Sequence, residues 1–171
     1  MSMTTERQPL TDDAPDRVKV GVAELAVASG DTRLTTSGLG SCVGVAVGDP
    51  TAGVAGLAHV MLPEATGDDR GKPAKSADIA VERLIAAVED AGADPALTEA
   101  KLAGGSRMFD FSGVSEGVGE RNVERTRQAL EDRDVPVVAE DVGGGHGRSL
   151  VLVPETWTLT VTSTHQGDET L

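Results

Sequence analysis

A chain of 171 residues is the size of one domain built around a single hydrophobic core. Its 28 acidic residues outnumber 15 lysines and arginines for a net charge of −13, which argues against nucleic acid as a partner, since binding a phosphate backbone requires neutralising it. No apolar run is long enough to span a bilayer, the first sixteen residues are polar and acidic, and His59, His146 and His165 are too far apart for a local metal-ligand spacing. The expectation is therefore a cytoplasmic protein with no membrane insertion and no metal or other cofactor.

Lysine is confined to Lys19, Lys72, Lys75 and Lys101, and the aromatics to Phe109, Phe111 and Trp157, while acids run along the whole chain. That is the composition expected of a halophile, because concentrated salt screens the mutual repulsion of surface carboxylates.

In chain order, residues 1–16 lack periodicity and read as a disordered tail, so the domain is expected over residues 17–164, with residues 165–171 a C-terminal tail. Val18 to Ala28 alternates and then turns apolar, and Ser29-Gly30-Asp31 is a turn, which predicts a strand and a hairpin whose return begins at Leu34. The glycine-punctuated segment Thr36 to Cys42 leads into Val43 to Val47. After the turn at Gly48-Asp49-Pro50, the apolar run Val54 to Leu62 carries His59 and suits a neighbouring antiparallel strand.

Ala77, Val81, Leu84 and Val88 recur at helical spacing between Ser76, an N-cap type, and Gly92, a C′ type. Lys101 to Ala103 reads as a buried strand entering the Gly104-Gly105 loop, and Val123, Thr126 and Leu130 mark a second amphipathic helix with a charged outer face, ending before Pro136. Val135 to Ala139 predicts a strand, Gly143 to Gly147 a flexible loop with a solvated His146, and Ser149 to Val153 with Thr158 to Thr164 a final hairpin. Many strands with two helices indicate an α/β (α+β) layered domain, with the helices on one side of mixed sheets.

Cys42 is the single cysteine, so no internal disulfide is possible and its chemistry is that of a thiol. A thiol attacks an acyl carbon as thiolate, which requires a base and donors for the oxyanion. If residues 43–47 and 54–60 pair as a hairpin, Cys42 and His59 lie near one end of adjacent strands. Glycines 38, 40 and 44 permit positive φ angles, and the backbone N–H groups of Gly40, Ser41 and Cys42 are candidate oxyanion donors. Each feature also has a bland reading: an isolated cysteine is usually a small buried hydrophobe, a histidine in an apolar strand a satisfied core residue, and a strand-end threonine such as Thr36 a partner for backbone. The glycine loops lack a following Lys-Ser/Thr and carry no phosphate-binding signal, and Arg121 and Arg148 read as surface arginines.

A resemblance narrows these readings. Gly38-Leu39-Gly40-Ser41-Cys42-Val43-Gly44-Val45, Asp49-Pro50 and Gly56 to Pro63 resemble the signature of the CheD family of chemoreceptor glutamine deamidases. Lys75 to Ala80, Gly104-Gly105-Ser106-Arg107-Met108-Phe109, Gly119-Glu120-Arg121-Asn122-Val123 and Ala139 to Gly144 with Gly147-Arg148 extend it in order over residues 17 to 162. Ser76 stands where the family commonly has Tyr, and the last hairpin lacks its usual aromatic and Thr-Gly pair. The resemblance implies an αββ sandwich and a catalytic group of Cys42, His59 and Thr36 that hydrolyses glutamine side chains of methyl-accepting chemotaxis receptors through a thioester. It also implies a CheC-type phosphatase as partner, and an alternative role as a non-catalytic module regulating that phosphatase.

Overall fold

The structure is a computed structural model, and it describes residues 15–65, 72–107, 117–163 and 167–171. The expected disordered tail therefore lies almost wholly outside the described residues, as do Met108, Phe109 and His165. Among the described residues, ten strands form two mixed five-stranded sheets. One contains β1 (Arg17–Lys19), β3 (Arg33–Leu39), β8 (Arg148–Val153), β9 (Thr158–Ser163) and β10 (Gly167–Thr170), in that spatial order. The other is ordered β2 (Leu25–Ser29), β5 (Val54–Val60), β4 (Val43–Asp49), β6 (Glu99–Gly104) and β7 (Val137–Val142). Helices α1 (Ala77–Asp90) and α2 (Val118–Asp132) cover the second sheet.

Two cores follow from this arrangement. Val43, Val45, Val47, Ala58 and Val60 face the helices and pack with Val81, Leu84, Val88, Val123 and Leu130. Ala46, Leu57 and Ala103 face the opposite sheet and pack with Leu34, Leu39, Leu150, Leu152 and Leu159. Each fully buried leucine of this kind contributes about 1.5–3 kcal/mol. The three layers are thus helices, sheet and sheet, the αββ sandwich expected above. β4 and β5 are buried at every position because both faces are covered, which is why they read as apolar runs rather than as alternating strands. Gly44 lets the sheets approach: a Cβ there would lie 2.3 Å from Leu150 Cδ1.

The β4–β5 hairpin forms with Val43 opposite Val60 and Gly44 opposite His59. The hairpin expected around Gly30 does not. β2 pairs with β5 in one sheet, whereas β3 pairs with β1 and β8 in the other. Gly30, at φ 64°, donates to Gly53 O at 3.0 Å and accepts from Glu155 N at 2.8 Å, so the turn ties a loop of each sheet together and carries the chain across the sandwich.

Ser76 occupies the N-cap position of α1, but its hydroxyl makes no capping bond; Ala77 N–H instead donates to Leu62 O at 2.9 Å, and Ile79 N–H to Asp78 Oδ1 at 3.0 Å. The strand predicted from Val135 begins at Val137. Residues 167–170, expected as tail, form β10 against β9, with Gly167 opposite Ser163. Lys101 fills the inter-sheet space away from Cys42, donating to Trp157 O and to Leu171 O, with its ammonium 4.6 Å from the Trp157 ring centre. Neither described helix is long and apolar enough to cross a membrane.

Candidate active site

Strand alternation puts His59 on the same face of β5 as Leu57, toward the opposite sheet. Cys42, immediately before β4, packs half-buried against that inter-sheet core, on the face it shares with Gly44, whose ladder partner is His59. Thr36 enters the same space from β3, in the other sheet. Its Oγ1 lies 2.8 Å from His59 Nδ1 and donates to Val20 O at 2.7 Å. Thr35, one residue away, alternates to the other face of β3. Thr36 and His59 are thus in contact across the two sheets, and Cys42 borders the same inter-sheet space from the entry to β4.

The hydrogen bonds fix the tautomer of His59. A carbonyl only accepts, so the single hydroxyl proton of Thr36 is spent on Val20 O, and Oγ1 can only present a lone pair to the ring. Nδ1 therefore carries the proton, and Nε2 carries the lone pair of a base. His59 is fully buried, and its Nε2 has no partner among the described residues. The backbone around the ring is held on both sides, with Ala23 N–H donating to His59 O at 2.9 Å and His59 N–H to Glu24 O at 3.0 Å.

Burial acts on both titrating groups in the direction of neutrality: desolvation raises the Cys42 thiol above its ordinary range and lowers His59 below its own. Both shifts favour the uncharged forms, thiol and imidazole.

The loop before Cys42 is pinned carbonyl by carbonyl. Gly40 O accepts from Ser106 N–H at 2.8 Å, Ser41 O from Asn122 Nδ2 at 2.8 Å, and Cys42 O from Gly105 N–H at 2.8 Å. Gly104 adopts φ 112°, and a Cβ on it would sit 2.4 Å from Cys42 O, so only glycine lets β6 come this close. Of the glycines expected to bend the loop, Gly38 takes a positive φ of 73° whereas Gly40 and Gly44 do not. Among the three candidate oxyanion amides, Gly40 N–H is already committed to Gly38 O at 3.1 Å, which leaves those of Ser41 and Cys42.

A second set of contacts braces the first. Arg148, only 3% exposed, pairs with Asp141 at 3.3 Å and donates to Ser106 Oγ at 2.9 Å, while Ser106 Oγ donates to His146 O at 2.5 Å. Arg107 N–H reaches Gly144 O at 2.7 Å, so the 143–147 loop is stitched to the segment that holds Cys42. Sequence pattern alone puts Arg148 on the surface and His146 in solvent; both are buried, because the two glycine loops pack on each other. Asn122, Ser106 and Asp141 are site residues that sequence reasoning misses, their only signal being membership of short motifs that repeat no known chemical spacing.

Comparison with known proteins agrees with this architecture. The sequence model for CheD, chemotactic sensory transduction, matches residues 61–163. A probable chemoreceptor glutamine deamidase CheD of Haloarcula marismortui is 49% identical over 92% of this chain and 91% of its own length. The chemoreceptor glutamine deamidase CheD of Halalkalibacterium halodurans is 41% identical over 90% of this chain and 98% of its own. Among solved structures, a Neisseria meningitidis protein of the DUF152 family shares the fold, with a TM-score of 0.50 at 11% identity over 84% of this chain and 78% of its own. On the extent of these matches, the chain belongs to the CheD family.

Proposed function

We propose that this chain hydrolyses glutamine side chains of chemoreceptors to glutamate, with Cys42 as nucleophile, His59 as general base and acid, and Thr36 as the group that orients His59. The glutamine deamidase names of its relatives support the reaction. One observation above all supports the residues: a buried histidine whose Nδ1 is tied to a hydroxyl that has no second proton to give, with its Nε2 unsatisfied on the sheet face that carries the only thiol.

Cys42 Sγ attacks the amide Cδ as its proton passes to His59 Nε2, and the oxyanion is met by the Ser41 and Cys42 amides. Collapse of the tetrahedral intermediate breaks the C–N bond, the imidazolium gives its proton to the nitrogen, and ammonia leaves behind a thioester. Water then attacks the thioester, again losing its proton to Nε2, and departure of the protonated sulfur restores Cys42 and yields glutamate. The oxyanion position gains a full charge only in the tetrahedral state, so amides fixed in advance stabilise that state over the bound substrate.

The protein works in the cytoplasm, where receptor signalling domains are accessible, and a CheC-type phosphatase is its second partner. Incubation with receptor cytoplasmic fragments, following ammonia release and the small mass gain of amide-to-acid conversion, tests the reaction. Wild type should turn over and Cys42→Ala should be silent; equal turnover by both would refute the assignment. Loss of turnover in both, with a CheC-type phosphatase still bound, would make the protein a regulatory module instead.

A further inference from the structure

Asn122 is fully buried on α2, faces the strand layer and takes no part in the chemistry above. Its Nδ2 donates to Ser41 O at 2.8 Å and to Met61 O at 3.0 Å, so both amide protons are used. These two carbonyls sit where the β4–β5 ladder opens. Beyond the Val43–Val60 pair, Met61 and Leu62 turn away to donate to Lys75 O, at 3.1 and 2.9 Å, and no longer pair with the residues before β4. Asn122 closes that gap, joining the residue before Cys42 to a residue two beyond His59.

The bond to Ser41 O has a consequence one atom further along. All described peptide bonds are trans, and in a trans peptide the C=O and the following N–H point in opposite directions. Holding Ser41 O toward α2 therefore turns Cys42 N–H away from α2. The same rule applies one peptide earlier, where Ser106 N–H holds Gly40 O and so directs Ser41 N–H away from Ser106. The two candidate oxyanion amides are aimed by the donors behind them. Of those two donors, only Asn122 is a side chain that a substitution removes.

We infer that Asn122 is a positioning residue of the deamidase: it sets the direction of the Cys42 amide and locks the nucleophile loop to the strand bearing His59. This rests on the proposed function, because an oxyanion to be met presupposes acyl chemistry at Cys42. Asn122 Oδ1, buried without a partner among the described residues, fits a group placed for its two donors rather than for full satisfaction.

The test compares wild type, Asn122→Ala, Asn122→Ser and Cys42→Ala in full-length protein, reading kcat and KM for ammonia release, the rate of Cys42 alkylation by iodoacetamide, and the unfolding midpoint. Alkylation needs the sulfur but no oxyanion site, so it separates aim from folding and access. Asn122→Ala should lower kcat about a hundredfold, leave KM within about threefold, and leave alkylation within about twofold; Asn122→Ser, which keeps one donor, should recover part of kcat. If Asn122→Ala keeps kcat within threefold, or loses alkylation in step with kcat, Asn122 does not aim the amide and the inference is overturned. It is overturned equally if neither Asn122 variant folds, since the residue then holds the fold. Activity surviving in Cys42→Ala would instead overturn the underlying function.

Discussion

Replacing Thr36 with Val tests the tautomer of His59 directly, because Val is close in volume and exchanges only the hydroxyl for a methyl. In the wild-type core that hydroxyl satisfies two groups at once, Val20 O at 2.7 Å and His59 Nδ1 at 2.8 Å, and Thr36 itself is 3% exposed. The variant leaves a buried carbonyl and a buried ring N–H without these partners, each costing about 1–3 kcal/mol. The ring has one escape, which is to move its proton to Nε2; that relieves Nδ1 but removes the lone pair that the proposed base would use. Stability should therefore fall by roughly 2–6 kcal/mol, or by about 1–3 kcal/mol if the ring takes that escape, and kcat by about 10²–10⁴, the range a general base contributes. Urea unfolding followed by the single tryptophan, Trp157, gives the first quantity and steady-state ammonia release the second. Thr36→Ser keeps the hydroxyl and should retain kcat within about tenfold at a cost of about 1 kcal/mol for the lost methyl, while Thr35→Val, on the other face of β3, should change stability by no more than about 0.5 kcal/mol. A Thr36→Val enzyme as active as Thr36→Ser would refute the claim that this hydroxyl sets the base.

The ionisation of the pair gives a second expectation. Burial raises the Cys42 pKa, so the proton is held to higher pH, and alkylation by iodoacetamide, which needs thiolate, should reach half its maximum above about 8.5, the ordinary thiol value; a plateau already at pH 6 to 7 would mean a preformed ion pair. Burial lowers the His59 pKa, so the ring is neutral at pH 7 and kcat/KM should fall only below about 6.5 as it protonates. The net charge of −13 predicts salt-dependent stability: the unfolding midpoint should drop markedly on dilution from concentrated salt, and indifference to salt would remove the halophilic reading.

Legibility in the sequence tracks the range of the interactions involved. The β4–β5 hairpin is local and apolar, so its pairing, and with it the placing of His59 opposite Gly44, two residues after Cys42, is readable from residues 42–60. Both helices follow from apolar spacing, and the layering follows from two helices set among many strands. The failures are non-local. Gly30 is an ordinary turn glycine in sequence, and only its simultaneous bonds to Gly53 and Glu155 make the turn a crossing between sheets instead of a hairpin. Residues 167–170 have no strand pattern of their own; β9 supplies the edge that makes them one.

At the site the same division separates the reacting groups from those that hold them. The proposed nucleophile and base are rare residue types, and this chain has one cysteine and three histidines, so they stand out in the bare sequence. Asn122 and Ser106 are common polar residues that hold backbone carbonyls, with Arg148 bonded to the Ser106 hydroxyl behind them, and a carbonyl being held leaves no mark on the residue that owns it. The pinned carbonyls of Gly40, Ser41 and Cys42 give those short motifs one physical reason: Gly104 and Gly105 bring β6 close enough to reach the loop, Asn122 reaches it from α2, and Arg148 with Asp141 fixes Ser106 behind it. Residues far downstream of the thiol thus decide where its amide points, and that is why substitutions among them should alter kcat while leaving the thiol itself free to react.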